Sequence, residues 1–347
     1  MDRVDSGTFS IVFSISPLVG VHIRHRGGVR VSRKSWSYLL GVLCLVTVFA
    51  TAASATTFLN IATGSTGGTY YPVGAGMAKI WNDTVEGIQA SAQSTGGTVN
   101  NIQLMSEKES EMGFMDGLYY FAYTGQGRYE GNAQKYIRAL VPLYPEPIQL
   151  MVAKGSGIKS VADMKGKRVS IGAVASGTEV SARQLLHLAG LDPDKDIKAE
   201  NLGVGDTGSA FGDKRIDAAI MVGALGMAGV VEPSTLGLVE FIDVSDDLVA
   251  AVMAETPYWV PFTIPAGTYN GQDKDVKTYA SWNIVGIREE IDEETVYQMT
   301  KALFDKHDDL VAVNSKMASM VAENVKYILI PLHPGAERYY KEVGAIQ

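Results

Sequence analysis

Cysteine is almost absent from this sequence, which has one, Cys44, among 347 residues. A single cysteine excludes an internal disulfide, a thiol nucleophile elsewhere in the chain and a thiolate metal site. Histidine is also scarce: beyond residue 55 it occurs only at His187, His307 and His333, at no metal-ligand spacing such as H-E-x-x-H. The sequence therefore predicts no metal, no cofactor and no catalytic constellation, and we expect a protein that is not an enzyme.

Basic residues are outnumbered by acidic ones, 30 against 38. Residues 1–55 hold six of the basic and two of the acidic residues, so the chain beyond them keeps 24 basic and 36 acidic residues, a net charge of −12. Binding to nucleic acid requires clustered bases that neutralise phosphates. We therefore expect no nucleic-acid partner.

Long apolar runs are missing beyond residue 55, and one short run precedes that point. Arg33 and Lys34 lead into an uncharged apolar run over 38–50, and Ala53-Ser54-Ala55 follows it. This order is typical of a secretory signal, with cleavage expected after Ala55. The alternative is a membrane anchor, but a bilayer span needs about 20 residues. We expect a periplasmic protein from which residues 1–55, an N-terminal extension and signal peptide, are removed.

Strand-like and helical segments alternate along the rest of the chain, which predicts an α/β fold with a mainly parallel sheet. Two similar α/β units occur in succession, and the last third of the chain must return to one of them. Hinged ligand-binding proteins have this plan and close around a ligand. We predict lobe I over 56–157, lobe II over 158–275 and a return to lobe I over 276–347. Residues 136–154 are expected to form two strands, interrupted by Pro145 and Pro147.

Three short loops rich in glycine and hydroxyl residues each precede a predicted helix. They are Ser65-Thr66-Gly67-Gly68, Thr95-Gly96-Gly97-Thr98 and Ser176-Gly177-Thr178-Glu179. Backbone N–H groups and the helix dipole favour an anion at such a position, although ordinary N-capping explains any one loop equally well. Three of them in two units favour a shared anion site. Tyr70 or Tyr71 could cover a small ligand there, and simple packing is the alternative for one of the two.

Three segments that could suggest an enzyme do not meet the full motif. The first loop lacks the G-x-x-x-x-G-K-[ST] spacing, which disfavours ATP. Gly203-Val-Gly205-Asp-Thr-Gly208 matches G-x-G-x-x-G, but the following helical stretch is short, so we interpret it as a glycine-rich turn. Ser156-Gly-Ile-Lys159 lacks the companion motifs of penicillin-binding enzymes.

Several segments together resemble the TAXI family of solute-binding proteins, which serve tripartite ATP-independent periplasmic (TRAP) transporters. The first is IATGSTGGTYYPVGAGMAKIWND, and later ones include STGGTVNNIQLM, YPEPIQLMVA, VSIGAVASGTEVSARQLL and RIDAAIMVG. The resemblance covers essentially all of 56–347. It implies a type II periplasmic-binding-protein fold, with two α/β lobes joined by a hinge and the ligand in the cleft. It also implies that a carboxylate such as glutamate or 2-oxoglutarate is delivered to an ion-gradient-driven transporter.

The family's ligand loops can be carried over residue by residue. The ligand-binding residues they imply are Ser65, Thr66, Gly67, Gly68, Tyr70, Tyr71, Thr95, Gly96, Asp116, Ser176, Gly177, Thr178 and Gly223. This chain departs from the family at Ala175, where a glycine is usual, and in the segment after Gly223, which has less glycine and no proline. Asp116 replaces an uncharged polar residue, so it would repel a second ligand carboxylate or bind an amino group.

The sequence thus predicts a monomeric extracytoplasmic receptor for a small carboxylate, with the membrane subunits of a TRAP transporter as its partner. A sensory or adhesive binding module is the alternative. A secreted hydrolase is a further alternative, but the sequence shows no activated nucleophile for it.

Overall fold

The computed structural model describes residues 56–347, so the predicted extension and signal peptide over 1–55 lie outside the described residues. Strands and α-helices alternate over most of this range. The strands are β1 (Thr57–Ala62), β2 (Ile88–Gln93), β3 (Met112–Met115), β4 (Ile137–Ala153), β5 (Arg168–Ser170), β6 (Lys198–Glu200), β7 (Ala218–Val222), β8 (Val239–Phe241), β9 (Val260–Ile264) and β10 (Val276–Arg288). The helices are α1 (Tyr70–Thr84), α2 (Thr98–Ser106), α3 (Tyr119–Thr124), α4 (Gly177–Leu188), α5 (Val204–Gly212), α6 (Ala228–Thr235), α7 (Asp246–Glu255), α8 (Glu293–Asp305), α9 (His307–Val313) and α10 (Pro334–Glu342).

The sheet has two parallel groups of strands joined by two long strands. The strand order is β2-β1-β3-β10-β4-β7-β5-β6, with β8 added to β4 and β9 added to β10. Strands β2, β1 and β3 are parallel, and so are β7, β5 and β6, whereas β10 runs antiparallel to β3 and β4, and β4 antiparallel to β7. The α/β fold that the sequence predicts is confirmed. The sheet is mixed rather than mainly parallel, because the long strands β4 and β10 pair antiparallel with their neighbours. We refer to the β1–β3 side as the first half and the β5–β7 side as the second half.

The prediction of two strands over 136–154 is wrong, because β4 runs unbroken through both prolines. Pro145 pairs with Trp282 and Pro147 with Ala280 of β10, and pairing with β7 begins only at Ile148. A proline cannot donate a ladder hydrogen bond, but it is tolerated where a strand has a free edge. The two prolines lie just before β4 gains its second partner, so the strand can continue and connect the two halves.

Each half has its own hydrophobic core. In the first half, α1 presents Val73, Met77 and Trp81 at helical spacing to β1, and Trp81 Nε1 donates to Met299 O of α8 at 2.9 Å. The C-terminal helices α8 and α10 also bury Met299, Leu303 and Tyr340 in this core. The core of the second half is built around α4, β5 and β7. This packing is compatible with the predicted return of the chain to lobe I, and the lobe boundaries stay a prediction.

Within 56–347, no helix combines the length and the apolar character that a membrane span requires.

Candidate functional site

A cavity of about 80 Å³ lies between the two halves, beside the strands that join them. It is lined by the loops that precede α1, α2, α4 and α5 and by the end of β7. Leu202, Val204, Met221 and Met227 form an apolar wall on the second half. A cavity of this volume suits a compact molecule and is too small for a nucleotide.

Three helices, α1, α2 and α5, begin at the cavity without a side-chain cap. Neither Thr69 before α1 nor Gly97 before α2 makes a capping hydrogen bond through a side chain. In the part of the chain that the structure describes, the backbone N–H groups of Thr69, Tyr70 and Thr98 have no acceptor. Free N–H groups and the positive end of a helix dipole attract an anion.

Ser65 adds a hydroxyl group to this wall of the cavity. Its Oγ is buried and has no hydrogen-bond partner among residues 56–347. A buried hydroxyl without a partner costs free energy that a bound ligand can recover.

Ser176 and Thr95 use their hydroxyl groups inside the protein. Ser176 Oγ accepts from Glu179 N at 3.0 Å and caps α4, which is the N-capping alternative for that loop. Thr95 Oγ1 accepts from Gly97 N at 3.1 Å and donates to Asn101 Oδ1 at 2.6 Å. These two hydroxyls therefore shape the loops and leave the backbone N–H groups as the donors that the loops present to the cavity.

The two halves touch on either side of the cavity. A Cβ built on Gly67 would lie 3.0 Å from Gly205 N, and one built on Gly96 would lie 2.9 Å from Val174 O. Asn100 N of α2 donates to Ala175 O of the second half at 3.0 Å. The cleft is closed in this structure, and glycine allows the close approach.

Ala175 adopts a backbone conformation that favours glycine. Its φ is 59°, in the left-handed region, which costs an alanine about 1 kcal/mol relative to glycine. The backbone N–H of Ala175 itself donates to Glu179 Oε2 at 2.9 Å, so the first turn of α4 holds this residue in its left-handed conformation.

Two acidic side chains are buried at the cavity, Asp116 after β3 and Glu146 in the middle of β4, with exposed fractions of 5% and 3%. Tyr70 O–H donates to Glu146 Oε2 at 2.6 Å. Burial is the main reason that the pKa of Glu146 rises from 4.5 to about 8, and the charge of Asp116 adds to the rise. Burial also raises the pKa of Asp116 from 3.8 to about 6.

Tyr70 is positioned from both sides. Its ring packs on Phe114 of β3 with a centroid distance of 5.0 Å, and its hydroxyl is fixed by Glu146. Burial and the charge of Glu146 raise the pKa of Tyr70 above its usual value, so it acts as a hydrogen-bond donor.

The structure brings together most of the predicted ligand-binding residues. Those that line the cavity are Ser65, Gly68, Tyr70, Gly96, Asp116, Ser176, Gly177, Thr178 and Gly223. The predicted residues outside the lining are Thr66, Gly67, Tyr71 and Thr95. Thr66 is exposed, Tyr71 is half-buried, Gly67 contacts the opposite half and Thr95 bonds internally.

Several parts of the lining have no counterpart among the predicted residues. The prediction of a glycine-rich turn at 203–208 is wrong, because this segment forms the N-cap and the first residues of α5, and Gly203 and Val204 lie at the cavity. Glu146 was missed as well. Its signal is the single acidic residue of a largely apolar 17-residue strand, set between two prolines, since a buried charge in such a strand requires a partner.

No group of three or more metal-ligating side chains occurs within 56–347. His333 lies away from the cavity, and burial lowers its pKa.

A family model described as the NMT1-like family matches residues 61–344. The chain belongs to the NMT1-like family. Several solved structures are similar to this NMT1-like protein in fold. The alkanesulfonate-binding protein from Xanthomonas axonopodis pv. citri bound to MOPS is 14% identical over 83% of this chain and 85% of its own, with a TM-score of 0.45. An ancestral arginine-binding protein bound to arginine is 14% identical over 75% and 97%, with a TM-score of 0.46.

A protein from Bordetella bronchiseptica RB50 is 16% identical over 84% of this chain and 82% of its own, with a TM-score of 0.48. At such identities a likeness does not assign a ligand or a transporter to the NMT1-like protein.

Proposed function

We propose that this protein is an extracytoplasmic solute receptor that binds a small carboxylate. The observation that carries the proposal is the convergence of uncapped helix N-termini on one closed cavity between two α/β halves. The free N–H groups of Thr69, Tyr70 and Thr98 and the unpartnered Oγ of Ser65 supply donors for a carboxylate. A carboxylate bound in this way needs no arginine or lysine, and neither lines the cavity within the described residues.

Closing of the two halves around the ligand fits a receptor better than an enzyme. The halves are connected by β4 and β10, and bending of these strands would open the cleft. Among residues 56–347, no side chain at the cavity is a nucleophile hydrogen-bonded to a histidine, so the residues that would carry out hydrolysis are missing there.

For the transport step, we propose that this receptor serves the membrane subunits of a TRAP transporter as a monomer, on the basis of its resemblance to TAXI proteins. Uptake of the ligand into cells that carry the receptor and its membrane partners would then collapse with the ion gradient and persist when ATP is depleted. Uptake that depends on the ATP level and not on the ion gradient would support an ATP-driven partner instead.

The ligand class can be tested by thermal unfolding. The protein is unfolded and refolded to remove any bound ligand, and is then heated in the presence of a panel of small carboxylates. A ligand at a hundredfold excess over its Kd stabilises the folded state by about 2.7 kcal/mol. If no acidic compound raises the Tm, the proposed function is wrong.

Replacement of Ser65 connects this test to the cavity. Ser65→Ala removes a buried hydroxyl that lacks a partner in the empty protein, so we expect unchanged or slightly higher stability without ligand. The same change should weaken carboxylate binding about 3- to 10-fold. Ser209→Ala, on the exposed face of α5, is the matched control and should leave binding unchanged.

A further inference from the structure

Glu146 holds a central position at the floor of the cavity. It lies midway along β4 opposite Ser281 of β10, where the chain passes from the first half to the second. Its Oε2 accepts the Tyr70 hydroxyl. Its Oε1 receives no hydrogen bond of ordinary geometry from residues 56–347, although the nearby Asn283 side chain lowers the pKa of Glu146. Oε1 lies toward Gly223, whose ideal Cβ would be 4.0 Å away. One carboxyl oxygen is thus used by the protein, and the other is left for a ligand.

Asp116 lies nearby, and the protein contacts both of its carboxyl oxygens. Its Oδ1 accepts from Leu118 N at 3.0 Å. Its Oδ2 lies against Gly177 at the start of α4, so close that a Cβ on Gly177 would be 1.5 Å away. Asp116 therefore already occupies the N-terminus of α4. The uncapped helix N-termini at the cavity are those of α1, α2 and α5.

The surroundings of Glu146 contain no positive charge. The titratable groups that face it are Tyr70 from α1, Asp116 from the end of β3 and Tyr144 from its own strand. Beside it, Tyr144 Oη and Asn283 Nδ2 are buried and have no hydrogen-bond partner among residues 56–347. Buried carboxylates are normally paired with a cation, and the missing cation is what a ligand can bring.

We infer that the ligand carries a protonated amino group, which Glu146 binds through Oε1 with the help of Asp116. This inference rests on the proposed function and deepens it, since the ligand class becomes a small zwitterion. Its carboxylate lies on the N–H groups at the starts of α1 and α2, and its ammonium group lies at the acidic floor of the cavity. Glu146 is the residue that distinguishes this ligand from an amine-free acid of the same shape.

The test compares ligands that differ only in the amino group. Refolded protein is titrated with L-glutamate and 2-oxoglutarate, which share a carbon chain, and then with the twenty amino acids and with putrescine. We expect at least one amine-bearing compound to bind, and its amine-free counterpart to bind at least tenfold more weakly.

The variant Glu146→Gln should weaken binding of that compound about 10- to 100-fold, because a hydrogen bond to a charged group is lost. Glutamine can still accept the Tyr70 hydroxyl, so the local packing is kept. Glu240→Gln, which removes an exposed charge from β8, is the matched control and should bind like the wild-type protein.

The outcomes separate this inference from the proposed function. If amine-free acids bind the wild-type protein as well as their amino counterparts, or if Glu146→Gln leaves amine binding unchanged, the inference is wrong and the carboxylate receptor stands. If putrescine binds and no carboxylate does, the amino-group site stands and the carboxylate receptor is wrong. If no amine-bearing compound in the panel binds, the inference is wrong.

Discussion

Replacing Glu146 should stabilise the empty protein, and the gain should depend on pH. A pKa of about 8 in the folded state, against 4.5 for a free glutamate, means that folding favours the protonated form. The stability associated with Glu146 is fully present below pH 4.5 and is lost as the pH rises through 8. Glu146→Gln is neutral at every pH, so it avoids this loss.

The magnitude follows from the size of the pKa shift. One pKa unit corresponds to about 1.4 kcal/mol. From pH 4.5 to 7 the wild-type protein therefore loses at most about 3 kcal/mol of unfolding free energy relative to Glu146→Gln, and at most about 5 kcal/mol above pH 9. Relaxation and water entry reduce these limits, so we expect about 1–3 kcal/mol at pH 7.

Urea unfolding of ligand-free protein at pH 5, 7 and 9 measures this difference. Glu146→Gln should be more stable than the wild-type protein, by a margin that grows from pH 5 to pH 9, whereas Glu240→Gln should show no such growth. A Glu146→Gln protein that is less stable at all three pH values would refute the reasoning. The ionised form of Glu146 would then be stabilised by contacts inside the protein.

Three further outcomes are expected. Affinity for an amine-bearing ligand should rise about tenfold from pH 6 to pH 7 by calorimetry, because Glu146 must ionise to bind it, and the rise should vanish in Glu146→Gln. Ala175→Gly should relieve the left-handed strain and raise the unfolding free energy by about 0.5 kcal/mol; a loss would contradict this. Gly177→Ala should lower the unfolding free energy by about 1–3 kcal/mol, because the added Cβ clashes with Asp116, and should lower it by less in an Asp116→Ala background.

The parts of the fold that follow local rules could be predicted from the sequence. The strand before Ser65 and the helix after it are marked by an apolar run, a glycine loop and an amphipathic pattern, and all three are found. The strand break at Pro145 and Pro147 was predicted wrongly. Whether a proline disrupts a strand depends on which edge is paired, and the register with β10 and β7 is set by contacts distant in sequence.

The backbone parts of the candidate site could be predicted from the sequence, whereas the parts that depend on tertiary contacts between side chains could not. Glycine loops before helices indicate free N–H groups at the helix starts, so nine of the thirteen predicted residues do line the cavity. The internal use of the Thr95 hydroxyl depends on Asn101, and the exposure of Oε1 of Glu146 to the cavity depends on Tyr70 occupying the other oxygen. Neither pairing has a sequence signal, because spacing along the chain does not show which side chains meet.

Identification of the natural ligand tests the central claim most directly. The protein is purified from its own cells under native conditions, the small molecules it carries are released by denaturation, and they are identified and counted by mass spectrometry. We predict one compact carboxylate with an amino group, in about a one-to-one ratio to the wild-type protein and depleted in Glu146→Gln. A bound molecule that lacks an amino group, or one equally abundant in both proteins, would contradict the account.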